Sequence, residues 1–281
     1  MPNFMRWLPR RWRRLPELPS DLWHATLESQ PFLRSLSPAE KERLRTLSLH
    51  FLVEKEFHGA HQLAVTDAMA LTIASQACLP LLHLPGPRHR PLAQHPLDSL
   101  DWYDDFVGIV VQPGTAVAQR EITDTAGVVH RYRERLAGEA MQGGPVMLSW
   151  AEVSRSAQAA ESGSNVVIHE FIHKMDMRGS ERGQAADGAP AWADAALGKL
   201  SAEAARAEWR KTMSDAYAAF GEAVNMAERF GAEAPWLDAY GATAPGEFLA
   251  VTCEAYFVQR ARFGEEFPTL LALYDRFFRP G

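Results

Sequence analysis

Apolar positions along this chain first recur at helical spacing. Ser37-Pro38-Ala39-Glu40 combines a capping serine, a proline at the first helical position and a glutamate three after the cap, which predicts a helix start. Leu44, Leu47, Phe51 and Leu52 then share one face while Lys41, Glu42, Arg43 and Arg45 occupy the other, so the apolar stripe is expected to join a core. Thr66 can cap a second, largely buried helix running through Met69, Ile73, Ala77 and Leu81 and stopping near Pro80 or soon after.

The pattern then changes. Residues 83–105 are rich in proline, histidine and aspartate without sustained periodicity, which predicts a long surface loop. Phe106 to Val111 reads as a buried strand, Val117 to Ile122 and Val128 to Arg133 as a hairpin turning at Asp124 to Gly127, and Pro145 to Leu148 as a further short strand. From Trp150 the spacing is helical almost to the end, broken only around 178–190 and 241–246. Helices, a small sheet and more helices make an α+β chain, mostly helical.

The 281 residues, 47% of them hydrophobic and 23% charged, suit one sizeable core. The expected division is a basic aromatic tail over 1–17 and a single domain over 18–281, with the loop at 83–105 the one candidate boundary inside it. In the tail, Arg6, Arg10, Arg11, Arg13 and Arg14 interleave with Trp7 and Trp12, while Pro2, Pro9 and Pro16 interrupt any continuous amphipathic helix. A net charge of −6 argues against direct binding of nucleic acid. No apolar run approaches the roughly 20 residues of a transmembrane helix, and no signal-peptide core opens the chain. Cys78 and Cys253 form no disulfide framework, so a reducing cytoplasm is expected.

The chemistry concentrates in His169-Glu170-Phe171-Ile172-His173, a His-Glu-x-x-His pattern between Asn165, a helix cap, and Gly179, a helix stop. Histidines four apart on a helix lie one above the other and can share one tetrahedral Zn²⁺ per chain. Glu170 leaves that face by about 100° and can stand beside the attacking water as general base for peptide hydrolysis. Asp176, three after His173, is a candidate partner for a ligand imidazole. A catalytic zinc needs a third protein ligand; Glu247 and Glu254, seven apart on a helix opened by Pro245 and Gly246, are both candidates, and spacing does not choose between them.

Longer stretches carry a resemblance. His169 to Asp176 (His-Glu-Phe-Ile-His-Lys-Met-Asp), Asp187-Gly188-Ala189-Pro190, and Tyr240 to Phe248 (Tyr-Gly-Ala-Thr-Ala-Pro-Gly-Glu-Phe) resemble the Mlc titration factor A family, as do Phe57-His58-Gly59-Ala60 and Gly144 to Trp150. The likeness runs from about Leu18 to Phe278. It implies a cytoplasmic zinc metallopeptidase of aminopeptidase type acting on peptides, with a gluzincin-like catalytic core similar to that of the lethal factor metalloprotease. It also implies that Glu247 is the third zinc ligand, that Tyr240 is the active-site tyrosine able to stabilise an oxyanion, and that Glu254 stands behind the ligands. Members are linked to sequestration of a transcriptional repressor, Mlc, which makes such a repressor the alternative partner. The chain departs from the family pattern at Gly246, where alanine is usual, and in the length of the stretch from His173 to Glu247, a separation of 74 in the numbering that is longer than in some members.

Overall fold

The structure is a computed structural model that describes residues 15–88, 90–114, 116–123, 129–136, 138–140, 143–179, 187–190 and 201–280. The basic tail up to Arg14 and the hairpin turn at Asp124 to Gly127 lie outside the described residues.

The chain opens with α1 (Ser20–Glu28), the single turn α2 (Pro31–Arg34) and α3 (Pro38–Glu54). The capping box at the start of α3 forms as expected: Ser37 Oγ accepts the Glu40 N–H, and Glu40 Oε2 accepts the Ser37 N–H at 2.9 Å. Glu40 Oε1 also meets His83 Nε2 at 2.8 Å. Burial alone would raise the Glu40 pKa, but the bonds to Ser37 and His83 prevail and lower it from 4.5 to about 2. A short strand β1 (Glu56–Gly59) precedes α4 (Asp67–Cys78), which Thr66 caps through the Met69 N–H.

The segment 83–105 departs from its expected surface course. Its end folds into a 3-10 helix, Asp98–Tyr103, that buries Leu100, Trp102 and Tyr103. The indole of Trp102 donates to Pro85 O at 2.9 Å and the Tyr103 hydroxyl to Ala77 O at 3.0 Å. Two turns of 3-10 helix are too short to show a period, and their two aspartates hide two core aromatics among polar neighbours.

Four strands form a mixed sheet: β1, β2 (Gly108–Gln112), then β6 (Val146–Ser149) in parallel, with β5 (Gly138–Ala140) antiparallel at the edge. The predicted hairpin is a separate antiparallel pair, β3 (Ala116–Thr123) and β4 (Val129–Leu136). Two single turns, α5 (Trp150–Val153) and α6 (Ser156–Ala159), lead to α7 (Val166–Gly179). The long α8 (Ala202–Phe230) is followed by a 3-10 turn at Ala239–Ala242, α9 (Pro245–Val258), α10 (Arg260–Glu266) and α11 (Pro268–Phe278). Mostly helical, with a small mixed sheet and a separate two-stranded pair, this is the expected α+β arrangement.

The helix α7 lies at the centre, packed against β5 and β6, α4 and α9. Val167, Ile168, Phe171, Ile172 and Met175 are all buried. Phe171 sits among Phe51, Tyr103 and Phe106, with ring centroids 5.6, 4.9 and 5.9 Å away. Packing among these rings holds the apolar face of α7 against the core and thereby fixes the rotation of the helix about its axis.

Candidate metal centre

The start of α7 is fixed locally. Asn165 Oδ1 accepts the Ile168 N–H at 2.9 Å, and Asn165 O accepts the His169 N–H at 3.0 Å. The cap thereby sets which residues face the core. Its apolar positions turn inward, and the remaining face presents His169 and His173, whose rings stand edge to face at 4.7 Å. Pro245 at the first position of α9 places Glu247 in that helix's first turn.

Packing of α9 on α7 brings Glu247 onto both histidines. Its Oε2 is 3.1 Å from His169 Nε2 and 3.2 Å from His173 Nε2, and the two nitrogens are 3.1 Å apart. Ligands held at about 2.0–2.1 Å around a tetrahedral zinc would be about 3.3 Å from one another, so this triangle fits a single such ion with little adjustment. Two imidazole nitrogens and a carboxylate oxygen are also a donor set that suits zinc. The side chains remain 14% (His169), 11% (His173) and 21% (Glu247) exposed, so the triangle is partly accessible to solvent.

Glu254, two turns beyond Glu247, approaches the other nitrogen of the same ring. Its Oε1 lies 2.7 Å from His169 Nδ1, while Oε2 accepts the Ser164 hydroxyl at 3.0 Å and the Asn165 N–H. A carboxylate can only accept, so Nδ1 carries a proton toward Glu254, which leaves Nε2 as the nitrogen that faces Glu247 and His173. Burial alone would lower the His169 pKa, but Glu254, reinforced by Glu247, raises it well above its ordinary value. For Glu247 burial acts upward, yet the two histidines hold its carboxyl far below the usual range.

Asp176 is fully buried and turns to backbone. Its oxygens accept the N–H groups of Gly188 and Ala189, each at 2.9 Å. Burial pushes its pKa up to about 6 despite those two donors. Gly188, at φ +74°, lies so close to α9 that a β-carbon there would meet Pro245 O at 2.8 Å, and its carbonyl accepts the Trp209 indole N–H at 2.6 Å. Asp176 thus ties α7 to the segment that braces the start of α9, where Glu247 sits.

Glu170 is 4% exposed on α7 beside His169. Four residues on, the buried Lys174 donates to Gly144 O at 2.7 Å and lies 4.5 Å above the Phe106 ring. Burial lowers the Lys174 pKa, against the charges of Asp105 and Glu170. Tyr240, 37% exposed on the 3-10 turn before α9, has its ring 6.4 Å from that of His169. Behind Glu254, a cavity of about 340 Å³ is bounded by Ser162, Ser164, Trp236, Asp238 and Val251.

Among the described residues, the structure brings together His169, His173, Glu247, Glu254 and Tyr240, with Glu170 beside them on α7 and Asp176 beneath. Ser164, Gly188 and Trp209 also take part in the architecture. No local signal in the sequence marks Ser164 or Trp209, and for Gly188 its place in Asp187-Gly188-Ala189-Pro190 is the signal of a turn whose glycine takes the left-handed backbone seen here.

Known proteins are similar to this chain over most of its length. The model of a family described as glucose-regulated metallo-peptidase M90 matches residues 4–279. A protein of Klebsiella pneumoniae named Mlc titration factor A is 31% identical over 249 residues, covering 89% of this chain and 82% of its own. Its namesake in Cronobacter sakazakii is 31% identical over 256 residues, 91% and 84% of the two chains. Another, in Escherichia fergusonii, is 29% identical over 274 residues, 98% and 91%.

Proposed function

The chain belongs to the glucose-regulated metallo-peptidase M90 family, and from that premise we propose a zinc-dependent peptidase of aminopeptidase type, with one Zn²⁺ per chain held by His169, His173 and Glu247. The mutual approach of His169 Nε2, His173 Nε2 and Glu247 Oε2, at 3.1 to 3.2 Å, carries the reading. Two histidines from one helix and a glutamate from a later one support a gluzincin-like core. Zinc, when bound, supplies Lewis-acid polarisation and brings the pKa of a water to about 7.

Glu170 is the general base. One residue beyond His169 it is turned about 100° from the ligand line, and it takes a proton from the attacking water and passes it to the leaving amine as the C–N bond breaks. The Tyr240 hydroxyl donates to the oxyanion formed as the peptide carbonyl becomes tetrahedral. Glu254 fixes the His169 tautomer, and Asp176 supports Glu247 through Gly188. A cytoplasmic setting is consistent with two buried, unpaired cysteines, and no helix among the described residues is long and apolar enough to cross a membrane.

Metal analysis and hydrolysis of a short-peptide panel test this reading. Wild type is expected to carry about one zinc per chain, E170Q to keep the metal and lose hydrolysis, and E247A to lose the metal. Zinc lost from E254A but retained by E247A would overturn the ligand assignment; stoichiometric zinc without hydrolysis of any peptide would overturn the activity.

A second reading, binding of a repressor of the Mlc type, rests on the name that the relatives carry. Capture of such a repressor by E170Q would separate binding from catalysis.

A further inference from the structure

Behind His169, buried amide and hydroxyl groups form a hydrogen-bonded run leading away from the metal centre. Asn165 employs every polar group of its side chain: Oδ1 takes the Ile168 N–H, and Nδ2 donates to Gln76 Oε1 on α4 at 2.8 Å. Gln76 Nε2 donates to Ser156 Oγ at 3.2 Å, and Ser156 donates to Gln30 Oε1, just before α2, at 3.0 Å. Gln76 and Asn165 are 0% exposed, Ser156 1% and Gln30 4%, so a partner lost along this part of the run leaves a buried polar group unsatisfied.

The direction of every donor follows from one backbone group. The Ile168 N–H can only donate, so Asn165 must present Oδ1 to it and Nδ2 to Gln76. Gln76 must then offer its oxygen to Asn165 and its nitrogen to Ser156, whose hydroxyl proton is left for Gln30. At the other end the Asn165 N–H and the Ser164 hydroxyl hold Glu254 Oε2, while Oε1 holds His169. Moving Asn165 therefore shifts the carboxylate that orients the imidazole.

Building on the zinc site proposed above, we propose that Gln76 is a positioning residue of the metal centre, acting through Asn165 and Glu254 to aim His169 Nε2 from a helix that contributes no ligand. Satisfaction of buried polar groups would alone explain a cost in stability. A positioning role makes a separate demand: zinc affinity depends on the oxygen that Gln76 offers to Asn165, whatever the stability.

Zinc transfer from the holoprotein to a chromophoric chelator, read beside thermal unfolding, separates the two. Q76L, or Q76M should leucine not fold, removes that oxygen and is expected to weaken zinc retention by about tenfold or more. Q76E keeps it, with Ser156 turning its hydroxyl to the second carboxylate oxygen; retention should stay within about threefold of wild type although the buried charge lowers the melting temperature. Wild-type retention in the apolar variant, or equal weakening in Q76E, would overturn the proposal.

A wild-type protein that retains no zinc would sink the metallopeptidase reading by itself. Hydrogen exchange at the Asn165 and Ile168 amides then decides the positioning role: faster exchange in Q76L but not in Q76E supports it, and equal exchange in the two overturns it.

Discussion

Glu254 Oε1 lies 2.7 Å from Nδ1 of His169, on the side of the ring away from Glu247. One imidazole is therefore held by two carboxylates from the same helix, seven residues apart, each addressing a different nitrogen. E254Q replaces an acceptor that serves three donors with an amide that has one oxygen, so either His169 or the Ser164 and Asn165 pair loses its partner. Zinc affinity should fall about 10–100-fold with the ligands themselves intact, as chelator competition would measure. An unchanged affinity would remove Glu254 from the architecture of the site.

Gly188 offers a test at a distance from the ligands. In G188A the left-handed backbone and a β-carbon 2.8 Å from Pro245 O are both unfavourable, and a loss of about 2 kcal/mol or more is expected. Because the strain falls at the start of α9, zinc retention should weaken together with the denaturation midpoint. An equally stable variant with normal zinc would show that the close approach to Pro245 is unimportant.

Acid sensitivity at the capping box follows from Glu40, whose pKa drops from 4.5 to about 2 on folding. A depressed folded value means that the carboxylate stabilises the fold fully above pH 4.5, and that the contribution disappears as the pH falls toward 2. E40A should be less stable than wild type near neutral pH by about 1 kcal/mol, with the gap closing in acid. Denaturant midpoints at pH 7 and pH 3 measure it, and a gap that widens in acid would contradict the assignment.

Metal removal should lower the melting temperature by mass action, since the folded chain assembles the three donors and the unfolded chain does not. Acid should favour that loss, because His169, its pKa raised by Glu254 and Glu247, binds a proton in competition with the ion. Calorimetry with and without chelator, at pH 7.5 and pH 6, should give a chelator effect in wild type and none in E247A. A chelator effect that persists in E247A would place the metal elsewhere.

How much of this was legible depended on distance along the chain. The cap at Asn165 and the two histidines lie within nine positions, so helical geometry alone puts His169 and His173 on one face. The choice between Glu247 and Glu254 is different in kind. Both face α7, and which one meets Nε2 is set by the axial offset of two helices separated by the whole of α8. No local spacing encodes that offset; the resemblance named Glu247 where periodicity left both open.

The sheet was legible in part for the same reason. Ile109 and Val111 announce a buried strand, and the structure begins it at Gly108, two residues later than the apolar pattern suggests. The partner β1 carries Glu56 and His58 at exposed positions on an edge, so its four residues have no apolar alternation to reveal them. Trp102 and Tyr103 invert the usual hint, since an aspartate-rich segment delivers two of the most buried rings in the molecule.

The two helices that meet at Glu247 also have a topological consequence. Joining His173 to Glu247 through a shared ion would turn the intervening chain, α8 included, into a closed loop of about the span that a long-range disulfide closes, with a comparable restriction on the unfolded chain. A backbone cut inside that loop would then leave both halves fastened together until the ion departs, so the integrity of the molecule and the occupancy of its centre would become one property.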